Sequence, residues 1–87
     1  MKHLTLPRFW RHYAQLPKEA QELADKSFKL LKADLQHPSL HLKQVGKTKQ
    51  LWSVRVGAHY RALGVEKPGS IVWFWIGTHA DYDRLLS

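Results

Sequence analysis

The chain predicts an α+β domain: two N-terminal helices packed on one face of a four-stranded, mainly antiparallel sheet, closed by a short C-terminal helix. Three observations carry that prediction. Apolar residues recur at helical spacing as far as the segment before Pro38, the period then switches from about 3.6 to 2, and no strand–helix–strand alternation follows. At 87 residues the chain has room for one modest core, so residues 1–87 form a single domain. An apolar share of 44%, with four Trp, three Tyr and three Phe, is that of a globular chain rather than a disordered one.

Residues 3–5 suit a short opening strand. Pro7 fits the first position of a helix, and Phe9, Tyr13 and Leu16 recur at helical spacing after it. Pro17 restarts the chain in a longer helix, where Ala20, Leu23, Ala24, Phe28, Leu31 and Leu35 form an apolar stripe. Lys18 with Glu22, and Glu22 with Lys26, are spaced for i,i+4 pairing on its outer face. The helix ends by His37, because a residue before proline avoids the helical region.

Residues 40–45 alternate as a weak strand, and residues 46–50 make a basic turn. Trp52, Val54 and Val56 against Ser53 and Arg55 form a clear half-buried strand. A turn at Gly57-Ala58 leads into a strand over 59–66, and Lys67-Pro68-Gly69 turns the chain again. Residues 71–76, Ile-Val-Trp-Phe-Trp-Ile, are apolar on both faces, as in a central strand with both sides covered. The helices can cover one side; a chain terminus or a partner must cover the other. Strict alternation sends Trp73 and Trp75 one way and Val72, Phe74 and Ile76 the other, which offers the two tryptophans as a partner-binding face.

Fourteen Lys and Arg against seven Asp and Glu give a formal charge of +7. The excess is concentrated. Between Asp34 and Glu66 there is no acidic residue, while Lys43, Lys47, Lys49, Arg55 and Arg61 lie there with His37, His41 and His59. An acid-free basic block inside a folded domain points to a polyanion-facing surface, with Lys43, Lys47, Lys49, Arg55 and His59 as candidate phosphate or RNA contacts. No cysteine is present, so thiolate metal sites and disulfides are excluded. The six histidines are scattered without metal-ligand spacing, and neither a metal nor a cofactor is expected. The opening residues lack the apolar stretch of a signal peptide, and the apolar run 71–76 is far shorter than the ~20 residues of a membrane helix. A cytoplasmic protein is the expectation.

The chain closes on "IGTHADYD", residues 76–83. Thr78 followed by Asp81 has the spacing of a capping box, and Tyr82 with Leu85 and Leu86 would pin a short terminal helix to the sheet. Capping does not explain His79. A histidine at the positive end of a helix dipole suits a proton acceptor better than a fixed cation.

The helix pair followed by a sheet, with "SVRVGAHYRAL" at 53–63 and "FWIGTHADYDRLL" at 74–86, resembles the RelE/ParE superfamily of toxin–antitoxin toxins. The ending is most similar to the HigB branch. The likeness in layout spans essentially the whole chain, and two segments carry it as motifs. It implies a RelE-like fold with a concave sheet face, a wrapping antitoxin, and in most branches ribosome-dependent cleavage of mRNA. It further implies that Arg61 contacts the scissile phosphate, that Arg55 lies near the other basic strand position, and that His79 and Tyr82 are the terminal catalytic pair. The chain departs from the pattern where the RelE branch carries two strand lysines; Trp52, Ser53 and Val54 stand there instead.

RNA cleavage without metal needs a proton acceptor for the 2′-OH, cations for the charged phosphorane and a donor for the leaving oxygen. A hairpin can bring Arg55 and Arg61 to one surface, and His59 and His79 supply two imidazoles. Catalytic Arg61, His79 and Tyr82 therefore fit a toxin that cleaves ribosome-bound mRNA, held in check by a small acidic antitoxin. A non-nuclease toxin of the same fold, such as a gyrase poison, and an inactive nucleic-acid-binding module are the alternatives.

Overall fold

The computed structural model describes residues 1–47 and 50–87. The order is β1 (Lys2–Thr5), α1 (Pro7–Ala14), α2 (Lys18–Ala33), a 3-10 turn (Pro38–Leu40), β2 (Lys43–Gln44), β3 (Leu51–Val56), β4 (Tyr60–Lys67), β5 (Ser70–Thr78) and α3 (His79–Leu86). The strands form one sheet in the order β1-β5-β4-β3-β2.

The sheet has five strands, not four, and it is mixed. The opening strand pairs parallel with β5, Lys2 against Ser70 through Thr5 against Trp73, while every other pairing is antiparallel. The physical reason lies in β5, whose unbroken apolar run needs a neighbour on each edge as well as cover on each face. Beyond Thr5 the edge of β5 passes to α1: the Leu6 N–H donates to the Trp73 carbonyl at 3.0 Å, and Arg8 Nε to the Phe74 carbonyl at 3.3 Å. A strand edge that could otherwise recruit another chain is thereby closed. At the opposite end, β2 is only two residues long, because Leu40 is drawn into the 3-10 turn and buried at 1% exposure.

Alternation also fails at one point in β5. Leu63 pairs with Trp75 and Gly64 with Trp73, so Phe74 is an extra residue with no partner on β4. This bulge flips the strand's facing halfway along. Ile71, Trp73 and Ile76 therefore join Ala24, Leu31, Val54, Val56 and Ala62 in the core beneath the helices, whereas Trp75 packs with Leu63 and Tyr82 on the other face. The two tryptophans do not share a face, contrary to the expectation from strict alternation. Gly64 makes the bulge possible, since a Cβ there would sit 2.7 Å from both Ile71 and the Trp73 ring.

In α2 the apolar stripe is realised through Ala20, Ala24 and Leu31, while Leu23 and Phe28 stay partly exposed at its margins. The second face of the sheet is covered by α3, through Tyr82 and Leu86 against Val45, Leu63 and Trp75. The chain terminus, rather than a partner, covers the side that the helix pair leaves open. No helix among the described residues is long and apolar enough to cross a membrane.

Candidate active site

The face beneath α3 carries the polar part of the sheet. Antiparallel register places Arg55 directly opposite Arg61, and Arg61 opposite Gly77, in one cross-strand row. The neighbouring row runs Lys43, Ser53, Leu63, Trp75. Directly opposed residues share a face, so Lys43, Ser53, Arg55 and Arg61 belong to one surface.

Arg61 is buried to 5% exposure. Its Nε donates to Ser53 Oγ at 2.7 Å, one Nη2 proton goes to the His41 carbonyl at 3.2 Å, and the guanidinium stacks 5.2 Å from the Tyr82 ring centre. Burial pushes its pKa down, Tyr82 and Asp83 oppose that, and Arg55 adds to it. The group nevertheless stays charged, as guanidinium does in proteins. His41 reaches it from a left-handed backbone at φ 43°, a region histidine tolerates better than most residues. Among the described residues no carboxylate lies within ion-pair range of either Arg61 or Arg55. Arg55, half-buried, directs its Nε to the Gly57 carbonyl at 2.9 Å. Like charges opposed across two strands are destabilising, so this row stands ready for an anion.

The start of α3 brings the second part. Thr78 Oγ1 accepts from the Asp81 N–H at 3.1 Å, as the capping pattern predicts, while the Asp81 carboxylate pairs forward with Arg84. Hydrogen bonds from Arg84 and Thr78 hold Asp81 below the usual carboxylate range. The His79 N–H donates to the His59 carbonyl at 2.8 Å, tying the helix start to the β3–β4 turn. His79 Nδ1 lies 3.2 Å from Asp83 Oδ2, one helical turn on, leaving Nε2 directed elsewhere. The His79 ring is 5.6 Å from that of Tyr82.

Arg61 and His79 thus both lie close to the Tyr82 ring, which gathers the three predicted catalytic residues into one cluster. At 4% exposure Tyr82 is packed in the second core with Leu63 and Trp75. Gly77 lies inside β5, and its missing Cβ makes room for the Trp75 indole, whose Cζ2 would be 2.5 Å away. His59 is exposed in the turn before β4, Lys43 is exposed on the edge strand, and Lys47 is exposed beyond it. Lys49 lies outside the described residues. Trp73, buried at 3%, donates its Nε1–H to His3 Nδ1 at 3.2 Å and is part of the helix-side core, not of a partner face.

Sequence reading assigned no site role to Asp83 or Ser53. The i,i+4 spacing of His79 and Asp83 was a usable signal for the first. The second rests on register, which no local pattern displays. Among the described residues, no group of three His, Asp or Glu side chains is arranged to hold a metal.

A family model described as the ParE-like toxin domain matches residues 18–84. No curated protein matches at the sequence level. Among solved structures, the fold is similar to a chain of the RelB–RelE antitoxin–toxin complex from Methanococcus jannaschii, at 12% identity and TM-score 0.76, covering 97% of this chain and 99% of that one. It is also similar to a chain of the archaeal RelE–RelB complex from Pyrococcus horikoshii, at 13% identity and TM-score 0.69, covering 88% and 92%. A third likeness is to the YoeB/ParE toxin from Agrobacterium tumefaciens, at 16% identity and TM-score 0.68, covering 91% and 99%.

Proposed function

Because this chain belongs to the ParE-like toxin domain family of the RelE/ParE superfamily, we propose that it is the toxin of a type II toxin–antitoxin pair and acts as a metal-independent, ribosome-dependent mRNA endoribonuclease in the cytoplasm. The observation that carries the reading is the Arg55–Arg61 row. Two arginines are directly paired across adjacent strands, their like charges act on one another, and no carboxylate lies in ion-pair range among the described residues, an arrangement that a phosphate would relieve.

In this reading His79, oriented by Asp83, takes the proton from the 2′-OH through Nε2, and the oxygen attacks the adjacent phosphorus. Arg55 and Arg61 stabilise the phosphorane charge. His59, on the turn that the His79 backbone grips, is the donor to the departing 5′-oxygen. Lys43, Lys47 and Lys49 extend the phosphate-binding surface, and codon choice comes from the ribosomal A site. The HigB-like ending supports the assignment of His79. A small acidic antitoxin, complementary to the +7 charge, is the expected partner; the antitoxin–toxin complexes among the structural neighbours support it.

A second reading, a non-nuclease toxin of the gyrase-poisoning kind, is favoured by the burial of Arg61 and the commitment of its Nε and one Nη2 proton within the fold. Induced expression with transcript-end mapping, beside cleavage of mRNA on programmed ribosomes, separates the two. The nuclease reading expects new mRNA ends in translated frames, lost by about 10²-fold or more in His79→Ala. Growth arrest with intact transcripts and broken DNA would establish the second reading instead.

A further inference from the structure

An open crevice of about 560 Å³ lies between α2, the 3-10 turn and the β3–β4 turn. Its floor is apolar, with Leu30 and Leu40, and its polar lining includes Lys26, Ser39, His41 and Arg55. No Asp or Glu is among its described lining residues. That size falls within the roughly 300–1,000 Å³ of sites that hold a small ligand or one nucleotide unit.

One of these residues belongs to the row described above, and a second contacts it. Arg55 is the cross-strand partner of Arg61, and the His41 carbonyl accepts from Arg61 Nη2. The crevice is therefore continuous with the Arg55–Arg61 row, sharing a wall rather than forming a separate patch. A polyanion lying across that row and continuing past Arg55 enters the crevice, where Lys26 reaches it from the helix side of the sheet.

We propose that this crevice is a second phosphate subsite, seating a backbone phosphate of the bound RNA next along the strand on Lys26, Arg55 and the His41 ring. The proposal rests on the nucleic-acid reading above and deepens it by adding a residue of α2 to the substrate path. Lys26 supplies a mobile point charge, Arg55 a planar fork shared between two phosphates, and Ser39 a hydroxyl at the lip. Leu30 and Leu40 beneath lower the local polarity and strengthen those contacts. The crevice has no part in bond breaking; it sets which way the strand leaves the row.

The test measures binding of a fluorescein-labelled single-stranded RNA 20-mer across a salt series, together with mRNA cleavage on programmed ribosomes. Lys26→Ala is compared with Lys67→Ala, which makes the same charge change at the far end of β4. Both positions are exposed, so neither variant threatens the fold. The expected result is that Lys26→Ala lowers the slope of log affinity against log salt by about 0.7, one single-strand phosphate contact. It should raise KM several-fold with kcat unchanged, and Lys26→Glu should do so more strongly, while Lys67→Ala stays near wild type. If the wild type cleaves and the Lys26 and Lys67 variants behave alike, the subsite is overturned and the nuclease reading survives. Wild-type chain that neither binds the oligonucleotide nor cleaves overturns both. Unchanged RNA binding by Lys26→Glu with lost capture of an acidic antitoxin overturns the subsite and reassigns the crevice to the protein partner.

Discussion

Arg61 and Arg55 face each other on one row, yet they should respond to substitution with opposite signs. Removing Arg61 strands the fully buried Ser53 hydroxyl and the His41 carbonyl and opens space beneath Tyr82. Arg61→Ala should therefore lose about 2 kcal/mol. Arg55→Gln keeps a donor toward the Gly57 carbonyl while removing a like charge from the row, and should gain up to about 1 kcal/mol at the cost of activity. Urea denaturation of both variants checks the pair; equal losses would show that the row stores no repulsion. His3 makes a prediction in pH. Burial first, then the N-terminal ammonium and Lys32, push its pKa below the usual 6.5, and its Nδ1 accepts from the buried Trp73 indole. As pH falls the unfolded chain binds the proton first, so the contribution is full above about 6.5 and is lost below it toward the folded value. The urea midpoint should fall between about pH 7.5 and 5 more in wild type than in His3→Gln, and identical slopes would dismiss the contact as a pH-sensitive tie.

At the scale of elements, β5 and α3 meet at two adjacent residues that do different work. Thr78 caps the helix through its hydroxyl, so Thr78→Ala should cost about 1 kcal/mol and leave the aromatic packing unchanged. Gly77→Ala should cost about 1–3 kcal/mol by overpacking, since its Cβ would displace the Trp75 indole from the second core. Near-ultraviolet circular dichroism distinguishes them: the Trp signal changes in Gly77→Ala and not in Thr78→Ala. The helix start is therefore fixed twice, by a local cap and by the His79 N–H held on the β3–β4 turn. That double attachment keeps His79 beside Tyr82, which also meets Arg61, although seventeen residues lie between His79 and Arg61 in the chain.

For the whole molecule, the important property is a sheet covered on both faces by its own helices, in a chain whose positive excess is concentrated in one acid-free stretch of sequence. An acidic antitoxin would bind by charge rather than by completing the core. At a free concentration of 100 Kd it should add about 2.7 kcal/mol of stability. The increment should shrink as salt rises through about 0.5 M, because exposed charges are screened. Melting curves of the chain with a candidate acidic antitoxin, at low and high salt, read this directly. A salt-independent shift would assign the contact to apolar surface such as the exposed Trp10 and Phe28 instead.

Local chemistry made much of this protein legible in its sequence. Helical spacing of apolar residues marked α1 and α2, alternation marked β3 and β4, and Thr78 with Asp81 marked the start of α3, because each of these signals acts within a few residues. The RelE/ParE resemblance likewise came from short motifs whose residues do lie together. What the tertiary structure alone decided depends on pairing between distant segments. The parallel docking of β1 on β5 and the bulge at Phe74 are set by strand register, which Gly64 permits and no periodicity announces. The bulge sent Trp73 and Trp75 to opposite faces and buried both. Register also placed Arg61 against Arg55 and Ser53, and the docking of α3 buried the Tyr82 ring close to both Arg61 and His79. Residue types and spacing select the elements; which side chains meet across them, and which retain access to solvent, is settled only when the faces pack.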